Sequence, residues 1–197
     1  MFHRPIAVTL SRKRIGERVV MSFFLFMWIV LLGGLALHVI LDRSPDRRSG
    51  RRILELTALW FVVVGLGVNG AMAGLVHLGP GAPAAAESIG WAPSPFQWEN
   101  GGSDLAVGLA GLAVAWRRFR GGWMSAVIAI AFVQLYLDGI QHVTQWLMHG
   151  NTAPDNVGAI PTCFLVPLIA AITTWAARRA AARRVPHGAH ETPLVSA

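Results

Sequence analysis

Asp138 and His142 stand four residues apart in "LDGIQH", inside a run that is otherwise apolar. Residues at that spacing share a helix face, so a carboxylate and an imidazole can meet there, hold a proton between them or bind a polar solute. Gln134, Gln141 and Gln145 belong to the same series, at steps of four, three and four through Asp138. A second polar group lies in "SPFQWENGGSDL", with Gln97, Glu99 and Asp104, and His77 falls near the end of an earlier apolar run. Ionisable residues inside a membrane span face the bundle interior or a wet cavity and are functional candidates by default. Gln97, Glu99, Asp104, Asp138, Gln141, His142 and His77, with Asn156 from "GNTAPDNVG", are therefore the predicted lining of one polar pocket.

Plainer roles stand beside each of these. Glu99 can strengthen a helix N-terminus as an interfacial carboxylate, and the aspartates can belong to a structural hydrogen-bond network. The glutamines are simple interhelical hydrogen-bonders, worth about 1 kcal/mol each. His77 and His142, on separate helices, could ligate a b-type haem or sit beside a quinone, but no diagnostic spacing supports them. No cofactor is predicted. The single cysteine, Cys163, excludes an intrachain disulfide and a CxxC motif. There is no Gly-x-Ser-x-Gly elbow and no phosphate-binding loop, so neither a nucleophilic hydrolase nor an ATPase is indicated.

The elements that must position these residues are membrane helices. The chain has 197 residues, 54% hydrophobic and 14% charged, where soluble domains carry about 25% charged residues. A spanning helix needs about 20 apolar residues, and five segments approach that: 19–41, 53–78, 95–118, 123–148 and 157–181. The predicted fold is all-α, a polytopic transmembrane helix bundle of four to five spans over residues 21–184, between a basic N-terminal extension (1–20) and a disordered C-terminal tail (185–197).

The third span is the least obvious, because only 103–116 is continuously apolar. Ser94-Pro95-Phe96-Gln97 reads as a capping box with proline at the first helical position. A helix starting there and running to Arg118 has about 24 residues and a length of roughly 36 Å. On it Gln97, Gly101, Asp104, Gly108, Gly111 and Ala115 share one face, polar at one end and small further in. Gly67, Gly70, Gly74 and His77 form a matching stripe on the second span, and small residues let helices approach closely. Pro167 is expected to kink the last helix, and His38 to be a packed or snorkelling residue.

Charge sets the orientation. The net charge of +7 comes from 17 basic residues, all arginine but one. Five arginines occupy "DRSPDRRSGRR", three follow the third span, and Arg178, Arg179, Arg183 and Arg184 follow the last, whereas 79–102 and 149–156 have no Lys or Arg. By the positive-inside rule the arginine-rich loops and the C-terminus are cytoplasmic and the pocket opens outward. Basic residues at the ends of apolar runs suit lipid headgroups rather than nucleic acid. Trp116, Trp123 and Trp175 are expected at the inner interface and Trp91, Trp98 and Trp146 at the outer one. Arg4, Arg12, Lys13, Arg14 and Arg18 oppose an outside N-terminus, which leads to the expectation that the native chain starts at Met21; an interfacial segment is the alternative.

"IGWAPSPFQWENGGSDLAVG", "DGIQH" and "GNTAPDNVG" resemble an uncharacterised family of small bacterial membrane proteins, loosely similar in size and style to DoxX-like proteins. The resemblance implies a compact helix bundle in the bacterial cytoplasmic membrane and no particular substrate. Three functions are in view: binding or passage of a small polar solute or proton, a quinone- or haem-binding redox subunit, and a structural or assembly subunit whose partners are other helices or a second copy of the chain.

Overall fold

A computed structural model describes the backbone of residues 10–183, with side chains from Phe24 onward. The expectation for 185–197, and most of the first half of that for 1–20, lies outside these residues. Six helices are present among the described residues, and no strand: α1 (Leu10–Leu41), α2 (Gly50–Leu78), α3 (Ala82–Ser88), α4 (Phe96–Ala113), α5 (Gly122–His149) and α6 (Pro154–Ala182). Four of them, α1, α2, α5 and α6, are long and apolar enough to cross a membrane. The helix of the first span begins nine residues before position 19, the start read from its apolar run, and α3 lies where only a loop was expected.

Local chemistry sets the helix ends. Ser49 caps α2 by accepting the Arg52 amide at 3.2 Å. In the preceding loop Arg52 pairs with Asp42 at 2.7 Å, and Arg51 bridges Asp46 at 2.6 Å and Glu55 at 2.7 Å. At the far end of α5, Gly150 takes the left-handed conformation (φ 65°) that a helix C-terminus favours. Asn151 then turns the chain by accepting the Ala153 amide at 3.0 Å, and Pro154 opens α6. Pro161 and Pro167 are both accommodated inside α6, which runs on as one helix to Ala182.

The third predicted span needs correction. α4 starts at Phe96, with the Gln97 side chain accepting the Ser94 amide at 3.4 Å and Ser94 Oγ accepting the Phe96 amide at 3.3 Å. It stops at Ala113, not Arg118, giving 18 residues and about 27 Å. The reason is Arg120, whose guanidinium turns back to donate to the Val114 and Ala115 carbonyls at 3.3 and 2.8 Å. Those carbonyls, which a continuing helix would use internally, are capped by a cation instead. A short 3-10 turn, Arg117–Phe119, follows.

Glycine determines how α2 and α4 meet. A Cβ on Gly67 would lie 2.8 Å from the Leu112 amide nitrogen, and one on Gly74 would lie 2.6 Å from that of Leu105. From the other side, a Cβ on Gly101 would meet His77 Cβ at 2.8 Å and one on Gly111 would meet Gly67 Cα at 2.9 Å. The two expected stripes therefore interlock at backbone distance. Ala115, beyond the end of α4, is exposed and takes no part.

Between Phe61 and Val68, α2 is wound with i→i+5 hydrogen bonds. Three consecutive valines and the two glycines that flank Leu66 are weak helix formers, so the wider turn displaces little α-helical preference. Phe61, Val62 and Leu66 of this segment are buried with Leu31 of α1, Val127 and Ile128 of α5, and Val166 and Ala170 of α6, and together they form the core. Away from the core, α1 exposes Leu25, Phe26, Ile29 and Ile40. His38 accepts the Trp60 indole N–H at 2.9 Å, which makes it a packed residue.

Candidate functional site

The chain runs through the bundle so that α2 and α5 end, and α4 and α6 begin, at the same end. A cavity of about 650 Å³ opens there. The arginine-rich loops lie at the other end, where Arg52, Arg120 and Arg178 line one small cleft.

Seven of the eight residues singled out above line the cavity: His77 from α2, Gln97, Glu99 and Asp104 from α4, and Asp138, Gln141 and His142 from α5. Glu99 and Gln141 are exposed, Asp138 is half-buried and Asp104 is buried. The spacing of Asp104 from Gly101 and Gly108 turns its carboxyl away from the glycine seam only far enough to reach α5. There Gln134 donates to it at 2.7 Å, while Asn100, one turn back on α4, donates at 3.2 Å. Ser103 donates to the Gln134 carbonyl at 2.9 Å, which fixes the orientation of that amide. Among the described residues Asp138 has no hydrogen-bond partner.

Asn156 does not line the cavity; it stands directly behind it, with no exposed surface. Its amide nitrogen donates to the His142 and Asn151 carbonyls, both at 3.1 Å. Its oxygen must therefore be the acceptor in the 2.9 Å contact with His142 Nδ1, so the imidazole proton sits on Nδ1 and Nε2 is left as an acceptor. Trp91 stacks on the same ring, with centroids 5.4 Å apart and planes 23° from parallel. Asp138 and His142 share the cavity without a hydrogen bond between them, since Asn156 takes the imidazole Nδ1, and Trp91 forms part of the cavity wall. Trp98, Trp116, Trp123, Trp146 and Trp175 are exposed.

His77 is held differently. Gln97 donates to the Ala82 carbonyl at 2.8 Å and accepts from the Ser94 amide, leaving its second N–H 3.5 Å from His77 Nδ1. The α3 turn is thereby tied to α4, and Asn151 ties the next turn by donating to the Ile89 carbonyl at 2.8 Å. Gly90, between them, has φ 73°, and a Cβ there would meet Asn151 Oδ1 at 2.8 Å. These contacts roof the cavity.

Sequence reasoning missed Trp91, Asn100, Ser103 and Thr162 as lining residues. Asn100 was legible, four residues before Asp104 on one helix face; Trp91 and Thr162 carried no such signal. Thr162 accepts the Trp28 indole N–H at 3.1 Å, and Cys163 beside it lines the cavity too. Three carboxyl groups, two imidazoles and several amides face the space, and among the described residues no Lys or Arg does. Such a surface can exchange protons and accept hydrogen bonds from a donor-rich or cationic guest. No group of three or more His, Cys, Asp or Glu close enough to hold a metal ion occurs among the described residues.

No curated protein and no solved structure matches the chain. A family model, DUF6790, described as a family of unknown function, matches residues 21–183. That match takes in α2 to α6 and most of α1, so the chain belongs to this family.

Proposed function

We propose that this multi-pass membrane protein binds, and passes, a small cationic or proton-donating solute, or the proton itself, through the cavity at the Asp104–Asp138 end. The observation that carries the reading is the composition of that cavity: Glu99, Asp104 and Asp138 face it, and among the described residues no Lys or Arg does. In a low-dielectric surrounding, unbalanced carboxyl groups are neutralised by protons or by a cationic guest. Asp104 is fixed by two donors and serves as the positioned acceptor. Asp138, unpartnered and half-buried, is the group free to take a guest's N–H or a proton. His142 offers Nε2 as a second acceptor, with its ring orientation set by Asn156 and Trp91.

The distribution of arginine supports an orientation with the cavity outward and the C-terminus in the cytoplasm, and the membrane we propose is the cytoplasmic membrane of a bacterium. The test uses proteoliposomes of the full chain. Wild-type protein should dissipate an imposed pH gradient, or be stabilised saturably by methylammonium, choline or guanidinium, and Asp138→Asn should lose the effect while keeping its fold. A wild-type protein indifferent to both pH gradient and cations would overturn the reading.

A further inference from the structure

A second depression, a groove of about 680 Å³, lies between α5 and α6 at the arginine-rich end. Its floor is apolar, from Ile128 and Phe132 on α5 and Ala171 on α6. Two hydroxyls interrupt it. Ser125 Oγ and Thr174 Oγ1 are both shielded from solvent, and neither has a hydrogen-bond partner. Thr174 is only 8% exposed. Its neighbour Thr173 satisfies itself in the usual helical way, donating to the Ile169 carbonyl at 2.6 Å. Thr174 lacks such a bond and faces the groove instead.

Two guanidinium groups stand at the mouth. Arg178 donates to the Gly121 carbonyl at 2.9 Å, and Arg179 lies over the Trp175 ring, 4.6 Å from its centroid. Neither has an acidic partner among the described residues, whereas Arg51 and Arg52 both do. Both are thus fixed in place with donor capacity to spare. Charge, hydroxyl donors and apolar floor follow one another along the helices in the order phosphate, glycerol and acyl chain.

We infer that this groove binds an anionic phospholipid, with its phosphodiester between Arg178, Arg179 and the Thr174 and Ser125 hydroxyls and its acyl chain along Ile128 and Phe132. The phosphate oxygens accept from donors that the protein leaves unsatisfied, and the acyl chain covers a floor that water would not. The groove is at the opposite end from the cavity proposed above, so the inference needs only that the bundle be embedded in lipid.

The experiment is a lipid competition on the full chain, read by native mass spectrometry and by thermal midpoint in neutral detergent. Phosphatidylglycerol should be retained over phosphatidylcholine of the same chain length on the order of 30-fold, from two guanidinium contributions of roughly fivefold each. Arg178→Gln with Arg179→Gln should bring the two lipids near parity. Thr174→Val, which removes an unpartnered hydroxyl, should weaken phosphatidylglycerol retention without lowering the lipid-free midpoint. Parity in the wild type, including parity because residues 184–197 cover the groove, would overturn the inference. So would a double variant that keeps the preference, or inorganic phosphate alone matching the lipid's effect.

Discussion

Gly108 of α4 lies in backbone contact with Ala71 of α2: a Cβ on the glycine would collide with the Ala71 amide nitrogen. The neighbouring Gly102, on the same helix, has nothing within 4 Å of such an atom. The pair gives a controlled comparison of a methyl group added to one helix at two places. Gly108→Ala should destabilise by about 1–3 kcal/mol, because rigid backbone must move. Gly102→Ala should be neutral or stabilising by up to about 1 kcal/mol, from helix propensity alone. Thermal or chemical unfolding in one detergent measures both, and equal effects would refute the close seam.

Asn156 decides the His142 tautomer. Substitution Asn156→Ala leaves two backbone carbonyls without their donor and the imidazole without its acceptor. A cost of about 2–4 kcal/mol is expected for buried groups so stranded. The sharper readout is nitrogen NMR of the imidazole: Nδ1 carries the proton in the wild type, and Asn156→Ala should release that preference.

Gln134 links α5 to the Asp104 carboxyl of α4 at 2.7 Å. Gln134→Leu should cost about 1–3 kcal/mol, the penalty for a buried carboxyl that loses one of its two donors. Ser103→Ala, which removes only the contact that orients the Gln134 amide, should cost less than half as much. A double variant should show non-additivity, since both act through one network.

Acid sensitivity should arise at the opposite end of the bundle. The Arg52 guanidinium beside Asp42, helped by the Ser44 amide and hydroxyl, holds the Asp42 carboxyl well below its ordinary value of 3.8. A carboxyl depressed on folding contributes stability that is present above that ordinary value and disappears as pH falls through the lower folded one. Asp42→Asn should therefore lower the midpoint at neutral pH. It should also flatten the decline of stability expected below about pH 4 in the wild type. An unchanged acid limb would show that the pair contributes nothing.

Much of this arrangement was readable in advance because it depends on periodicity. The spacing of Gly67, Gly70 and Gly74 against Gly101, Gly108 and Gly111 predicts the seam between α2 and α4, and the polar positions of α4 and α5 predict which side chains share a cavity. What was hidden depends on contacts between segments distant in sequence. Nothing in the run after Ala113 announces that Arg120 will reach back and end the helix. Nothing near His142 reveals that Asn156, fourteen residues on, outcompetes Asp138 four residues away. Trp91 looks like an interfacial residue until the α3 turn folds it onto an imidazole. The wide-wound stretch of α2 is equally silent, since hydropathy does not distinguish one helical winding from another.

That stretch, Phe61–Val68, acts as a phase offset built into a single helix. Upstream of it, Leu56 and Ala58 are buried toward the core; downstream, Gly70 and Gly74 meet α4 and His77 reaches the cavity. Restoring ordinary winding over these eight residues without removing one would rotate everything after them by on the order of 100° relative to everything before. The glycine seam and His77 would then face away from α4 together. The angular alignment of the cavity wall with the bundle's core is thus stored in eight residues that contribute only Leu66 and Gly65 to the cavity itself, and a change in that alignment would turn His77 out of the site without a substitution at any of its polar groups.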